Sequence, residues 1–101
     1  MSVETEIRRA VDTGKTEFGS NKALEYSKVG TAKAIICAKN LEKDIQERII
    51  SYAKISNTPV YVAKLSRKEL GEVCGKPFNI GAISILDAGH SKILEEIKAA
   101  E

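Results

Sequence analysis

An almost uninterrupted apolar run in the middle of the chain limits the folds that it can adopt. Residues 32–38 (AKAIICA) include a single charged side chain, and two isoleucines stand at the centre of the run. β-Branched residues favour a strand, and a strand without polar alternation is typical of one that is covered on both faces. The run therefore predicts a central strand in a sheet with helices packed on both sides.

Helical and extended patterns alternate on either side of this run. Apolar periodicity and cap residues indicate five helices and three further short strands. The predicted helices lie at residues 3–11, 20–29 and 41–55, after Ser66 and around 93–97, and the other strands at 16–18, 60–63 and 82–86. This order favours an α/β fold, specifically a three-layer α/β/α sandwich around a small, mostly parallel or mixed sheet.

Cap residues locate several helix boundaries. Ser20 is predicted to be the N-cap of the second helix, with its hydroxyl accepting a bond from an otherwise unpaired N–H, and Gly30 suits a left-handed end. Asn40 is a possible cap for the third helix. Residues 66–69 (SRKE) form a capping box, in which Ser66 and Glu69 satisfy each other's backbone N–H groups.

The size and composition are those of one compact domain. The chain has 101 residues, 43% of them hydrophobic, which is enough for one core and too little for two. We therefore predict a single domain over residues 1–101. Two cysteines, no signal-peptide pattern and no long apolar stretch argue against secretion, disulfide bonds and a membrane span, so a cytoplasmic location is expected.

Positive charge is concentrated in two separated stretches, although the net charge is only +2. Residues 15–39 carry five lysines against two glutamates, and residues 64–76 carry four basic side chains against two glutamates. A fold that brought the two stretches together would create a basic face that attracts phosphates. The alternative is that both stretches are ordinary solvated surfaces.

The residues that most often carry catalysis are few and scattered. His90 is the only histidine, and neither Cys37 nor Cys74 belongs to a CxxC pair, so both cysteines are interpreted as packing residues. No GxGxxG or Walker-type loop follows a predicted strand. We therefore expect no metal, no cofactor and no enzymatic activity; the alternative is a small enzyme that uses one of these three side chains.

The segment between the first strand and the second helix is a candidate phosphate site. Residues 18–22 (FGSNK) contain Gly19 and Ser20 at a helix start, where free N–H groups and the positive end of the helix dipole face outward. Asn21 could read a base edge and Lys22 could neutralise a phosphate. The alternative is a capped helix start with ordinary polar residues.

Two further loops carry groups that suit RNA. Asn40 follows the central strand, and residues 78–81 (FNIG) lead into the last strand. Apolar groups beside amides on a loop can stack against an unpaired base, for which Phe78 and Ile80 are the candidates. Phe78 could equally fold onto the core.

Three long segments, FGSNKALEYSKVGTAKAIICAKN, ISYAKISNTPVY and LGEVCGKPFNIGAISILDAGHSKIL, together resemble one known family. They are similar to the thirty-e family of large-subunit ribosomal proteins of archaea and eukaryotes, relatives of the kink-turn RNA binders. The resemblance extends from the first helix to Leu94. It implies a three-layer sandwich with a four-stranded mixed sheet, a cytoplasmic ribosomal location, and a monomer when free, with ribosomal RNA and neighbouring large-subunit proteins as partners.

The resemblance also implies roles for individual residues. Gly19, Asn21 and Lys22 would approach the kinked backbone and its sheared purine pairs, Asn40 would add a polar contact, and Phe78, Ile80 and Gly81 would flank an extruded base. A side chain at Gly81 would hold the RNA away, so replacing it should reduce affinity more than stability. Ile45 stands where some relatives have a basic residue, and it is assigned no contact.

Within RNA binding, two roles remain open from the sequence. One is a structural component of the large ribosomal subunit that binds a kink-turn and stabilises its bend. The other is a non-ribosomal kink-turn protein of an RNA-modifying or regulatory ribonucleoprotein.

Overall fold

The computed structural model describes the backbone of residues 3–100 and the side chains of residues 3–97. Within this range, helices and strands alternate as the periodicity predicts. The elements are α1 (Val3–Thr13), β1 (Lys15–Phe18), α2 (Ser20–Val29), β2 (Ala34–Cys37), α3 (Lys43–Ser56), β3 (Val60–Val62), α4 (Arg67–Val73), β4 (Ala82–Asp87) and α5 (Ile93–Ala100). None of the described helices is long and apolar enough to cross a membrane.

The four strands form one mixed sheet in the order β1-β4-β2-β3. Strand β3 runs parallel to β2, whereas β4 runs antiparallel to both of its neighbours, β1 and β2. Phe18 is paired with Ile83, and Cys37 with Ala82. The carboxyl ends of β1 and β2 therefore lie beside the amino end of β4, at what we call the loop end of the sheet.

The core lies in two layers, one on each face of the sheet. Ile36 of β2 and Ile83 of β4 pack with α1, α4 and α5, while Ile35 and Cys37 face the opposite layer with α2 and α3. All four residues of β2 are fully buried. Burying one such isoleucine contributes roughly 1.5–3 kcal/mol, so the predicted central strand stabilises both layers. The predicted three-layer α/β/α sandwich with a four-stranded mixed sheet is confirmed.

Two predicted caps are wrong. The N-cap of α2 is Gly19, with φ 112° and ψ 146°, and Ser20 is instead the first helical residue. Helix α3 begins at Lys43 after Glu42, because the chain first turns tightly, with the Leu41 N–H donating to the Ala38 carbonyl at 3.2 Å. Asn40 lies in this turn, ahead of the helix, and caps nothing in α3.

Other boundaries match the prediction. Gly30 ends α2 in the left-handed conformation, with φ 72°, and its N–H donates to the Tyr26 carbonyl. At α4 the capping box is complete: the Glu69 N–H donates to the Ser66 hydroxyl and the Ser66 N–H donates to the Glu69 carboxylate. Hydrogen bonds to the carboxylate from the Ser66 backbone, and next from the Ser66 side chain, lower the pKa of the exposed Glu69 carboxyl.

Candidate nucleic-acid interface

The three predicted loops meet at the loop end of the sheet. The Gly19 N–H donates to the Ala82 carbonyl, and the Ala38 N–H donates to the Gly81 carbonyl, each at 2.9 Å. Both bonds extend the pairing of β4 with its two neighbours by one step. Because β4 lies between β1 and β2, the segment before it is held against both of the segments that follow those strands.

Arg67, the first residue of α4, joins two of these loops through its backbone. Its N–H donates to the Asn40 side-chain carbonyl at 2.9 Å, and its own carbonyl accepts from the Ile80 N–H at 3.0 Å. The first turn of a helix has N–H groups without intrahelical acceptors, so Asn40 satisfies one that α4 leaves open. The amide nitrogen of exposed Asn40 remains available to a ligand as a donor.

The start of α2 presents donors to solvent. The first intrahelical bond runs from the Ala23 N–H to the Gly19 carbonyl at 3.1 Å, so the N–H groups of residues 20–22 precede the helical ladder. A Cβ built on Gly19 would have no atom within 4 Å, which leaves open space in front of this turn. Asn21 and Lys22 are exposed beside it, and the Lys22–Glu25 pair at 4.0 Å is too exposed to hold the ammonium firmly.

Phe78 is half exposed, with 52% of its surface accessible, so its folding onto the core is excluded. Its ring meets the ring of Phe18 edge to face, with centroids 6.4 Å apart and planes 72° apart. The Lys76 ammonium lies 5.4 Å from the centre of the Phe18 ring. An aromatic face and a cation thus stand side by side at the loop end.

Ile80 is not where the sequence analysis expects it. Its side chain is 1% exposed and belongs to the core beneath α1, α4 and α5, because the chain has already turned inward to enter β4. In this conformation it offers no surface to a base. The neighbouring Gly81 does reach the loop end: a Cβ there would lie 3.1 Å from the Leu41 Cδ1 atom, so it would fit only if that flexible side chain moved slightly.

The fold unites part of each basic stretch. Lys22, Lys39, Arg67 and Lys68 are exposed around the loop end, and Lys76 is half buried there. Lys15 and Lys33 lie at the opposite end, where Lys15 is opposite Asp87 in the register of β1 and β4 and the Lys33 N–H donates to the Ile85 carbonyl at 2.7 Å.

Sequence reasoning had not selected Lys39, Arg67, Lys68 and Lys76 as site residues. Their position at the flanks of the predicted loops is the signal that could have found them. Phe18 was also missed, because a phenylalanine at a strand end is typical of a packing residue.

The residues considered for catalysis are buried or lie away from the loop end. Cys37 and Cys74 are buried, and burial raises the pKa of the Cys37 thiol to about 12 and that of Cys74 to about 11. Their interpretation as packing residues is confirmed. His90 is exposed, and its backbone N–H donates to the Thr13 hydroxyl at 3.0 Å. Across the described side chains, no three His, Cys, Asp or Glu residues are grouped so that they could hold a metal ion.

The fold and this surface define a class: small α/β sandwich proteins whose loop end gathers exposed cations, backbone donors and an aromatic ring. Residues 1–95 match the model of the ribosomal protein L7Ae/L30e/S12e/Gadd45 family, and the chain belongs to that family. The resemblance noted in the sequence is thereby confirmed.

Two curated relatives share the name large ribosomal subunit protein eL30. The protein from Methanocaldococcus jannaschii is 46% identical over 101 residues, covering 100% of this chain and 92% of the relative. That from Sulfurisphaera tokodaii is 47% identical over 95 residues, covering 94% and 90%. A solved structure of a Bacillus halodurans protein of unknown function superposes with a TM-score of 0.80 at 19% identity over 95% of both chains, and supports the fold alone.

Proposed function

We propose that this protein is a structural, non-catalytic component of the large ribosomal subunit that binds a kink-turn in ribosomal RNA and stabilises its bend. The observation that carries the proposal is the convergence of three loops at one end of the sheet, where donors, an aromatic face and cations stand together. The family and the shared name of the relatives support the ribosomal setting.

Each group at the loop end has a counterpart in a kinked RNA. The N–H groups at the start of α2 suit a phosphate, and the Asn21 amide suits the edge of a purine in a sheared pair. Gly19 leaves open space for a close approach of the RNA backbone. The exposed face of Phe78 suits the extruded base, because every base has a π face that can stack on an aromatic ring.

A bend brings phosphates together, and the charges of the loop end are arranged to offset their repulsion. Lys22 lies on one side of the Gly19 turn, whereas Lys39, Arg67 and Lys68 lie beyond Asn40, on the other side of β4. Cations on both sides can neutralise both arms of a kinked duplex. The protein is proposed to act without a cofactor, as a monomer when free, and beside neighbouring large-subunit proteins in the cytoplasmic ribosome.

A gel-shift titration against a kink-turn RNA tests the site. Phe78→Ala should weaken binding by about 5- to 150-fold, the range for losing one base–aromatic stack. Lys22→Ala should weaken it through a lost phosphate contact, whereas Lys54→Ala, which removes an exposed lysine at the far end of α3, should bind like the wild type. Unchanged affinity in both Phe78→Ala and Lys22→Ala would contradict the assignment.

Sedimentation of cell extracts tests the ribosomal role separately. The tagged protein should travel with large ribosomal subunits and leave them when RNA is digested. Its recovery only in small ribonucleoproteins would replace the ribosomal role with that of a non-ribosomal kink-turn protein.

A further inference from the structure

Phe18 contacts both Phe78, which the proposed function places beside the extruded base, and the nearby cation Lys76. Its ring meets Phe78 edge to face at 6.4 Å, and the Lys76 ammonium lies 5.4 Å from its centre. Edge-to-face pairs and cation–π contacts are both attractive because of the ring quadrupole. One half-buried side chain therefore keeps an aromatic ring and a cation close to each other.

Phe18 is anchored in the sheet and the core. Phe18 is the last residue of β1, it is paired with Ile83, and it packs against the core. Phe78, by contrast, lies on the loop before β4 and is half exposed, so its ring would otherwise lose rotational freedom when a base stacks on it. Contact with a ring anchored in the sheet already restricts the Phe78 ring in the free protein. Less rotational freedom is therefore lost when the RNA binds.

The loop that carries Phe78 is itself held against α4. The Lys76 N–H donates to the Gly71 carbonyl at 2.9 Å, and a Cβ on Gly71 would collide with the Phe78 carbonyl oxygen. Lys68, Glu72, Lys76 and Phe78 are among the residues that line one shallow pocket at this point. The pocket thus combines an aromatic wall with two cations and one carboxylate, and this net positive charge suits a base and its adjoining phosphate.

We propose that Phe18 is a positioning residue, which preorganises the Phe78 ring as a platform for an unstacked base, with the Lys76 ammonium beside it for the adjoining phosphate. The inference rests on the proposed function, since it assigns the part of the loop end that receives the extruded nucleotide. Phe18 acts through Phe78, so its contribution to affinity disappears once Phe78 is removed.

A double-mutant cycle on kink-turn RNA binding tests this role. Phe18→Leu, which keeps an apolar side chain without a ring, should weaken binding about 2- to 13-fold, the fold-change equivalent of one aromatic pair. Phe78→Ala should weaken it more. The double variant should match Phe78→Ala within about twofold, whereas independent effects would multiply.

Three controls separate positioning from folding. Tyr61→Leu removes another half-buried ring from the same core layer, away from the loops, and should leave RNA affinity unchanged. Phe18→Tyr keeps the ring and should restore affinity to within about twofold of the wild type. In the free wild-type protein, ring-to-ring NOEs between Phe18 and Phe78 should be present, a measurement that needs no variant to fold.

The outcomes distinguish this inference from the proposed function. Missing ring-to-ring NOEs, wild-type affinity in Phe18→Leu, or losses that multiply in the double variant would overturn the positioning role alone, provided that Phe78→Ala still weakens binding. Failure of the wild-type protein to bind a kink-turn RNA would overturn both.

Discussion

At the scale of single residues, two glycines of the loop end serve opposite purposes. A Cβ on Gly71 would collide with the Phe78 carbonyl oxygen, which is backbone and cannot easily move. A Cβ on Gly81 would meet only the ends of the Leu41 and Arg67 side chains, at 3.1 and 3.7 Å. Gly71 is therefore needed by the fold, whereas the fold tolerates a small side chain at Gly81, which we propose is kept free for the RNA.

Substituting the two glycines should separate stability from affinity. Gly71→Ala should lower the free energy of unfolding by about 1–3 kcal/mol through overpacking. Gly81→Ala should lower it by less than about 1 kcal/mol but weaken RNA binding about tenfold, equivalent to roughly 1.4 kcal/mol. Urea unfolding and RNA titration of both variants check this; a Gly81→Ala variant that unfolds easily yet binds normally would reverse the assignment.

The two buried thiols should be unreactive in the native protein. Burial raises the pKa of Cys37 to about 12 and of Cys74 to about 11, so both stay protonated and unreactive near neutral pH. Ellman's reagent should label neither thiol in buffer and both in guanidinium chloride. Rapid native labelling would show that one of them is accessible.

The same pKa shifts predict how the stability of the protein changes at alkaline pH. An unfolded thiol ionises near a pKa of about 8.5, below both folded values, so the unfolded state releases protons first. The stability contributed by the neutral thiols is therefore complete below about pH 8.5 and falls as pH rises toward 11. In Cys37→Ala/Cys74→Ala, urea midpoints should fall less between pH 8 and 10 than in the wild type; parallel losses would refute this.

Several residue roles could not be obtained from local sequence. Ser20 follows a glycine whose φ of 112° already makes the N-cap, and no nearest-neighbour rule distinguishes the two positions. Ile80 reads as a loop residue, yet the inward turn before β4 buries it. Asn40 was predicted as a polar RNA contact or a cap of α3, whereas its acceptor role in α4 depends on Arg67, which lies 27 residues away and is brought near only by the sheet.

At the scale of elements, α4 connects stability to the site, since its start is fixed by the Ser66–Glu69 box from within and by Asn40 from outside. Asn40→Ala removes the acceptor for the Arg67 N–H and should cost about 1 kcal/mol of stability as well as RNA affinity. Asn40→Asp keeps an acceptor at a helix start, where negative charge is favourable, but places that charge against phosphate.

The two Asn40 variants should therefore differ in a defined way. Thermal unfolding should show Asn40→Asp close to the wild type and Asn40→Ala destabilised, while filter binding should show that both bind RNA less tightly. If Asn40→Asp bound as well as the wild type, the residue would have no role beyond capping α4.

Most elements could be predicted because their signals are local. The run that contains β2 is apolar on both faces, and the capping box of α4 lies within four residues. The start of α3 was missed because the turn from Ala38 to Leu41 buries Leu41 before the helix begins, a tertiary effect. Periodicity predicts the body of an element better than its first turn.

At the scale of the whole molecule, the arrangement of the strands assembles the site. The alternating pattern predicted a mostly parallel or mixed sheet, but the position of β4 between β1 and β2 follows from no local rule. This position is what brings residues 19, 38 and 81 together. The resemblance to the ribosomal family implied that these loops share one RNA site, but it gave no strand order.

The difference between cations at the loop end and cations at the opposite end should appear in the salt dependence of RNA binding. Lys22→Ala should reduce the slope of log K against log salt by about 0.7–0.9, the value for one phosphate contact. Lys33→Ala, an equal loss of charge at the opposite end, should leave the slope unchanged. Equal changes in both variants would indicate diffuse attraction instead of a local site.

The central claim, that kinked RNA is held at the loop end of the sheet, is tested most directly by titrating the isotopically labelled protein with a kink-turn RNA. Backbone amide signals of residues 19–22, 38–40, 67–68, 76 and 78–81 should shift and saturate together, and those at the carboxyl ends of α2 and α3 should stay in place. Shifts confined to the opposite end, or none at all, would contradict it.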